Sequence, residues 1–336
     1  MRDKMKAAVV EGPGKIEIEQ REVPEPGEDE VLVKVRASSV CHSDKYAVEG
    51  LNDEAEFPRI PGHEVAGVVE ETGENVENWH EGDRVGVGWH AGHCFSCERC
   101  RRGQFKKCEN AEITGLTRDG GHAEYMKARK EAVAKIPEDL DFVDAAPLLC
   151  AGVTTYNSLR HTDARPGDTV AILGIGGLGH LGVQYASKAG FETVAISHSD
   201  KQDYAEELGA DHFINSEEED VAERLQELGG AKVVLSTVPV KEAVEEVIPG
   251  LGIDGDLTVV GRPGEPVEVE AGDLIARNAS VSGWASGSAR DSQDTMEFSS
   301  LRNVTPETEI FDLEDYEEAY EKMMEGEVRF RAVLEP

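Results

Sequence analysis

The sequence predicts an α/β fold in which a doubly wound parallel sheet is joined to a β-rich region. Strands and helices alternate from about residue 151 to about residue 287, and a glycine-rich turn follows the first of these strands. Before residue 151, short β segments separated by Gly and Pro predominate, such as 30–37 and 65–70. Because 336 residues are too many for one ordinary core, two domains are expected.

The individual elements follow from runs of apolar residues and their spacing. The predicted strands of the alternating region are 168–173, 193–197, 231–236 and 256–260, and its predicted helices are 180–188 and 201–208. Beyond this region the pattern predicts an amphipathic helix at 313–324 and a terminal strand at 330–334.

The chain is strongly acidic, with 68 Asp and Glu against 34 Lys and Arg and a formal net charge of −34. Such a charge repels nucleic acid and anionic membranes, so neither is an expected partner. Self-repulsion destabilises a compact chain in dilute salt and is screened in concentrated salt, which favours a halophilic, salt-adapted protein. The sequence has no apolar run of transmembrane length and no apolar leader, so a cytoplasmic location is expected, where disulfides are rare.

The sequence GIGGLG at 174–179 lies between a predicted strand and a predicted helix, the context of a dinucleotide-binding Rossmann turn. Gly174 permits the tight turn, Gly176 lets the backbone approach a pyrophosphate, and Gly179 allows close packing of helix on strand. The helix N-terminus then faces the phosphate charge. The residues predicted to bind the cofactor here are Gly174, Gly176, Gly177, Leu178 and Gly179.

The end of the second strand of the alternating region bears on the choice of cofactor. An acidic residue there binds the ribose 2′-hydroxyl and favours NAD. The sequence instead has SHSDK at 197–201, with no acid at the strand tip. Ser197, Ser199 and Lys201 are suited to hold a 2′-phosphate, so NADP is favoured, with NAD as the alternative.

The six cysteines fall into two sets, and close cysteine pairs in a reducing compartment indicate metal or redox chemistry. One set has the spacing C-x2-C-x2-C-x7-C and consists of Cys94, Cys97, Cys100 and Cys108. The other consists of Cys41 and Cys150. Together with His63 they offer two thiolates and an imidazole, the kind of three-ligand set that a catalytic zinc uses, and the adjacent Glu64 could be an exchangeable fourth ligand.

With these motifs, the chain resembles the zinc-dependent alcohol dehydrogenases of the medium-chain dehydrogenase/reductase superfamily. The resemblance runs over essentially the whole chain, with GHEVAGVV, the four-cysteine segment, GDRVGVGW, DGGHAEY, LLCAGVTTY and GIGGLG in the family's order and spacing. It implies a GroES-like β-rich catalytic domain at 1–151 and 288–336, and a Rossmann domain at 152–287.

The resemblance also implies two zinc ions per chain. Cys41, His63 and Cys150 correspond to the ligands of the catalytic ion, and the four cysteines of the lobe at about 93–109 to those of a structural ion. An iron–sulfur cluster fits less well, because the x7 gap and the absence of Cys-Pro differ from the bacterial cluster sequence. A nucleic-acid-binding zinc ribbon does not suit the negative charge.

Further residues receive roles from the same resemblance. Ser43 corresponds to the hydroxyl that passes the alcohol proton into a relay, and Asp44 to the acid that orients the histidine ligand. Tyr46 occupies the position where many members carry a relay histidine. His42 and Arg331 correspond to positions near the cofactor pyrophosphate, and Trp89 corresponds to an aromatic wall of the substrate pocket.

The implied reaction is reversible hydride transfer between a primary or secondary alcohol and NAD(P), with an aldehyde or ketone as the other substrate. A homo-oligomer is implied, with a tetramer favoured over a dimer. One alternative is a polyol or sugar dehydrogenase of the same superfamily. Another is a non-enzymatic, NADPH-binding zinc protein, against which the presence of Ser43 and Asp44 argues. A zinc-free quinone reductase would lack this ligand set.

Overall fold

The structure is a computed structural model that describes residues 4–52, 55–199 and 201–336. Asp200, the fourth residue of the SHSDK segment at 197–201, lies outside the described residues. The chain divides into two compact units, one comprising Met1–Cys150 and Gly287–Pro336 and the other Ala151–Ser286. Among the described residues, no helix combines the length and apolar character needed to cross a membrane.

The elements of both units are numbered along the chain. The strands are β1 Lys4–Gly12, β2 Lys15–Glu22, β3 Glu30–Val40, β4 Val65–Thr72, β5 Arg84–Val87, β6 His90–Gly92, β7 Glu112–Ile113, β8 Tyr125–Arg129, β9 Val133–Lys135, β10 Thr169–Leu173, β11 Glu192–Ser197, β12 His212–Asn215, β13 Ala231–Ser236, β14 Leu251–Val259, β15 Ser280–Gly283, β16 Thr308–Asp312 and β17 Arg331–Glu335. The helices are α1 Lys45–Val48, α2 Glu98–Arg101, α3 Phe142–Pro147, α4 Val153–Arg160, α5 Gly179–Ala189, α6 Gln202–Glu207, α7 Val221–Glu227, α8 Lys241–Val247, α9 Ala271–Arg277, α10 Ala289–Arg302 and α11 Tyr316–Glu325.

The unit Ala151–Ser286 is built on a parallel sheet with the order β12-β11-β10-β13-β14-β15. Counted along the chain within the unit, this order is 3-2-1-4-5-6, the Rossmann arrangement. Every residue of β10 is buried, because helices cover both faces of such a sheet, and its sequence TVAIL is therefore continuously apolar. The predicted α/β fold class is confirmed.

The other unit contains a mainly antiparallel sheet with the order β16-β17-β3-β4-β5-β9, and β8 also pairs with β3. Valines at alternate positions of β3, Val31, Val33 and Val35, pack with Val65 and Val69 of β4 in the core of this sheet. Strand β3 extends to Val40, three residues beyond its predicted end, and thereby reaches the first predicted metal ligand.

Several other elements differ from their predicted bounds by one or two residues, and two differ in a more informative way. Strand β14 starts at Leu251, whereas the predicted start was residue 256. The added residues contain Gly252, Gly255 and Asp254, which has a φ of 54°, so they have the composition of a turn, yet Leu251 pairs with Ala231 across an irregular register. The helix predicted at 313–324 begins with the 3-10 turn Leu313–Asp315 before α11.

Candidate active site

Three loops of the β-rich unit deliver the predicted catalytic zinc ligands. Cys41 directly follows β3 and precedes the 3-10 turn His42–Asp44. His63 and Glu64 directly precede β4, the antiparallel neighbour of β3, and the Ser39 amide donates to the Glu64 carbonyl at 2.9 Å. Cys150 lies in the π-helical turn Leu148–Gly152, a local widening of the backbone that is frequent at functional sites.

The side chains of Cys41, His63, Glu64 and Cys150 converge, with one donor atom of each within 4.8 Å of every other. The sulfurs of Cys41 and Cys150 are 4.0 Å apart, and both cysteines are free thiols. Two thiolates on a tetrahedral zinc lie about 3.8 Å apart, given Zn–S bonds of about 2.3 Å. The spacing of the two sulfurs therefore suits this metal.

Asp44 fixes the orientation of His63. Its Oδ1 is 2.9 Å from His63 Nδ1, and its Oδ2 accepts a hydrogen bond of 2.8 Å from the Cys41 amide. Although burial raises the pKa of Asp44, the charges of His63 and His122 lower it to well below the usual range of a carboxyl group. Since a carboxylate can only accept, His63 Nδ1 must donate, and Nε2 is left for a metal. This Nε2 is buried and has no hydrogen-bond partner in the described part of the chain.

The two thiols share a proton unequally. The hydrogen bond from Cys150 and the nearby His63 hold the pKa of Cys41 well below its usual value. The same hydrogen bond, together with burial, raises the pKa of Cys150 well above its usual value. One thiolate is thus already stabilised, and a divalent cation would displace the remaining proton, as metal binding to cysteine requires.

Arg331 and Glu64 form a buried ion pair beside these ligands. Arg331 Nη2 contacts both carboxylate oxygens of Glu64 and donates to Ser39 Oγ at 3.3 Å. Arg331 is 4% exposed and Glu64 is fully buried, so each charge depends on the other for compensation. The predicted metal contact of Glu64 and phosphate contact of Arg331 stay predictions.

The other residues predicted around this cluster differ in how far they are buried. Trp89 is half-buried, and its ring stands edge-on to that of His63, with centroids 4.8 Å apart. Ser43 lies in the turn that follows Cys41 and is half-buried, as is Tyr46 in α1, where Lys45 Nζ lies 5.8 Å from its ring centroid. His42 is exposed.

The four remaining cysteines form a second cluster in the lobe that precedes β7. The donor atoms of Cys94, Cys97, Cys100 and Cys108 also lie within 4.8 Å of one another. Backbone amides within the lobe point at these sulfurs, for example Cys97 N at 3.4 Å from Cys94 Sγ and Asn110 N at 3.3 Å from Cys108 Sγ. Hydrogen bonds from Ser96 and Asn110 lower the pKa of Cys94 to about 5. The convergence of four sulfurs therefore suits a closed tetrahedral metal site.

Sequence reasoning did not single out His122 or Ser38, which belong to the surroundings of Asp44. His122 is fully buried, with Nε2 at 3.6 Å from Asp44 Oδ2 and Nδ1 at 2.8 Å from Ser38 Oγ. The available signal was the DGGHAEY segment, where a histidine follows two glycines directly. That pattern alone does not reveal which distant carboxylate the histidine contacts.

The glycine-rich turn of the other unit has the form expected for phosphate binding. Gly174 has a φ of 93°, and a Cβ on Gly179 would lie 1.8 Å from the Gly174 carbonyl oxygen, so neither position accepts a side chain. A Cβ on Gly176 would meet no atom of the described residues within 4 Å, which leaves space beside this backbone for a ligand. Helix α5 begins at the end of the turn, and among the described residues no side chain caps its N-terminus. Gly177 and Leu178 are half-buried in the same turn.

The three residues predicted to distinguish the cofactors lie at one corner of this unit. Ser197 Oγ is 3.4 Å from both the hydroxyl oxygen and the amide nitrogen of Ser199. Lys201 Nζ donates to the carbonyl of Ile175, inside the glycine-rich turn, at 3.0 Å. An ammonium group and two hydroxyls therefore flank the turn at the carboxyl end of β11.

Comparison with known proteins gives two family matches along the chain. Residues 27–138 match the alcohol dehydrogenase GroES-like domain, and residues 177–301 match the zinc-binding dehydrogenase family. The GroES-like character predicted for the β-rich region is thereby confirmed. Among curated relatives, alcohol dehydrogenase patD of Penicillium expansum is 45% identical over 310 residues, covering 92% of this chain and 91% of the relative.

Two other proteins resemble nearly the whole chain. An alcohol dehydrogenase of Geobacillus stearothermophilus is 42% identical over 334 residues, which cover 98% of each chain. The crystal structure of CAD from Helicobacter pylori complexed with NADP(H) superposes with a TM-score of 0.88 at 27% identity, covering 100% of this chain and 99% of that one.

Proposed function

We propose a function for this chain from the premise that it belongs to the zinc-type alcohol dehydrogenase family of the medium-chain dehydrogenase/reductase superfamily. The chain catalyses reversible hydride transfer between a primary or secondary alcohol and NAD(P), with an aldehyde or ketone as the reverse substrate. The observation that carries this proposal is the convergence of Cys41, His63 and Cys150, with the buried His63 Nε2 left without a protein partner.

The residues of the cluster divide the work by their chemistry. Zinc, when bound, supplies a Lewis acid that polarises the substrate oxygen. Cys41, His63 and Cys150 would hold the ion, and Asp44 keeps His63 in the tautomer that presents Nε2. The Ser43 hydroxyl accepts the proton of the alcohol as it gives up its own to the relay, which Tyr46 is proposed to continue. Trp89, edge-on to His63, narrows the space beside that ligand and favours small or linear substrates.

A substrate panel tests this function. Purified protein is assayed with primary, secondary and polyhydric alcohols and with aldehydes, each with NADP and NAD, and zinc is measured on the same sample. We expect cofactor-dependent turnover of simple alcohols and aldehydes. Turnover confined to polyols would support the polyol dehydrogenase alternative. Zinc and NADPH binding without any turnover would indicate a non-enzymatic protein.

The corner formed by Ser197, Ser199 and Lys201 supports NADP as the preferred cofactor. It offers an ammonium and two hydroxyls where an acid would favour NAD. In the relative from Helicobacter pylori the bound cofactor is NADP(H), which agrees with this preference.

Replacing Lys201 with alanine tests the cofactor assignment. A hydrogen bond to a charged group contributes about 1.5–3 kcal/mol, so the Michaelis constant for NADP should rise roughly 10- to 100-fold while that for NAD changes little. The matched control is Lys188→Ala, which removes an exposed lysine from the C-terminal end of α5. Equal changes for both cofactors would contradict a contact with the 2′-phosphate.

The net charge of −34 supports adaptation to concentrated salt. The Debye length is about 10 Å at 0.1 M salt and about 3 Å at 1 M, so the self-repulsion of this chain is largely removed in molar salt. We expect the midpoint of thermal unfolding to be roughly 10 °C higher in about 3 M KCl than in about 0.1 M KCl. Sucrose, which stabilises without screening charge, is the control. Equal midpoints in both salt concentrations would rule out the adaptation.

The proposal also covers the cellular compartment and the oligomeric state of the protein. Because all six cysteines are free and the proposed zinc ligands depend on reduced thiols, a reducing compartment such as the cytoplasm suits the protein. We also propose a homo-oligomer, with a tetramer favoured over a dimer, which sedimentation of the purified protein would decide.

A further inference from the structure

We propose that His122 is a positioning residue for the metal ligand His63, and that it acts through Asp44 and through the loop that carries the ligand. The inference rests on the proposed zinc-binding role of His63. It concerns a residue of the DGGHAEY segment that touches no predicted ligand atom itself and to which no role was assigned from the sequence.

The first support is a buried row of polar side chains that ends at the ligand. Ser38 Oγ lies 2.8 Å from His122 Nδ1, His122 Nε2 lies 3.6 Å from Asp44 Oδ2, and Asp44 Oδ1 lies 2.9 Å from His63 Nδ1. All four residues are at least 98% buried. In such surroundings a polar contact is strengthened, and an unpaired group is costly.

The chemistry of the row assigns its protons. Asp44 is a carboxylate and can only accept, so His122 must present Nε2–H toward it. His122 Nδ1 is then the acceptor, and the Ser38 hydroxyl is the donor that holds this tautomer. His122 Nε2 has no hydrogen-bond partner in the described part of the chain, so the Asp44 carboxylate is the charge it faces. Because the Nε2–H group of His122 is directed at Oδ2 of Asp44, the other carboxylate oxygen, Oδ1, stays available to accept from His63 Nδ1.

The second support is the backbone around His122, which forms hydrogen bonds with the loop before the ligand. Gly120 N donates to Ile60 O at 2.7 Å, Gly121 N to Gly62 O at 3.0 Å, and His122 N to Pro61 O at 3.1 Å. Three successive residues therefore hold the three residues that precede His63.

The imidazole ring of His122 also fits closely against this loop. A Cβ on Gly62 would lie 2.5 Å from His122 Nδ1, and Gly62 has a φ of 96°, so glycine is required there on both counts. On another side the ring packs on Tyr316, with centroids 4.6 Å apart. The ring therefore lies directly against Gly62, the residue next to the ligand. The position of His63 is thus set from its side chain, through Asp44, and from its backbone, through this loop.

Two substitutions of His122 distinguish the loss of the hydrogen-bond donor to Asp44 from the loss of the imidazole ring's packing. In His122→Gln the terminal amide can reach the place of Nε2 and donate to Asp44, whereas in His122→Asn the shorter amide reaches only the place of Nδ1, facing Ser38. The readout is the rate at which the catalytic zinc is released to excess EDTA, with zinc measured by mass spectrometry. Subtracting the release curve of Cys41→Ser, which retains only the lobe ion, isolates the catalytic site.

We expect His122→Asn to release the catalytic zinc about tenfold faster than wild type, since loss of a supporting contact around a ligand costs about 10- to 100-fold in affinity or activity. His122→Gln should stay within about threefold of wild type. The matched control is His90→Asn, because His90 is equally a buried histidine but neither ring nitrogen has a partner in the described chain. It should release zinc at the wild-type rate.

Equal release from His122→Asn and wild type, or equal acceleration in the Asn and Gln variants, would overturn the proposal. If His122→Asn does not fold, Ser38→Ala decides, because it keeps the ring and removes only the donor to Nδ1. That variant should release zinc several-fold faster, and the wild-type rate would count against the proposal. Failure of the zinc assignment itself is seen separately, because wild type would then hold no more zinc than Cys41→Ser.

Discussion

Replacing Cys41 with serine is expected to lower kcat by at least about a thousandfold and to remove one zinc ion per chain. The sulfur of Cys41 is one of two thiol ligands 4.0 Å apart, and the hydroxyl of serine is a far weaker zinc ligand than a thiolate. Losing several kcal/mol of transition-state stabilisation by the metal corresponds to this factor. Steady-state kinetics and the zinc content of the same preparation provide the measurement.

The free cysteines of the lobe provide the matched control for this prediction. Cys97→Ser makes the same chemical change at the other cluster and should leave kcat within about threefold of wild type at a temperature where the variant is folded. If Cys41→Ser retained both zinc ions and full turnover, the assignment of the catalytic ligands would be wrong.

Cys97→Ser itself should reduce stability substantially. The lobe at about 93–109 contains only two short elements, α2 and the 3-10 turn Phe105–Lys107, and its four sulfurs converge within 4.8 Å. A metal that closes such a loop contributes to the free energy of folding, so we expect the midpoint of thermal unfolding to fall by roughly 10 °C. Circular dichroism on heating and zinc content per chain measure the effect.

One outcome would reverse the assignment of a catalytic ion to the Cys41 cluster and a structural ion to the lobe. It is a Cys97→Ser protein that has the wild-type unfolding midpoint and oligomeric state but has lost turnover. The lobe would then take part in catalysis, and the closed four-thiolate site proposed here would not describe it.

Much of the fold could be predicted because its signals are local. The buried strand β10 is continuously apolar, and the glycine-rich turn follows it immediately, so the parallel sheet and its cofactor turn were accessible from the sequence. Strand β14 was predicted to start five residues too late, because Gly252, Asp254 and Gly255 have turn composition. Only pairing with β13 makes that segment a strand.

In the candidate site too, features carried by short sequence motifs could be predicted, whereas contacts between residues far apart in the chain could not. Cys41, His63 and Cys150 could be proposed as ligands because the chain has only six cysteines and because these three residues lie in sequence motifs that resemble those of a known family. The contact of Arg331 with Glu64 joins residues 267 positions apart, and the sequence alone suggested other partners for both. His122 was not singled out for a related reason, since its role depends on Asp44 and on the loop before His63, which only the folded chain brings to it.

Removal and return of a single zinc from the wild-type protein tests the central claim most directly, namely that hydride transfer depends on an ion held by Cys41, His63 and Cys150. A chelator is added in steps, and zinc content, circular dichroism and reduced nicotinamide formation are followed together. We predict that turnover disappears with loss of one ion while the fold persists, and that one equivalent of zinc restores it. Full turnover after that ion has gone would contradict the account.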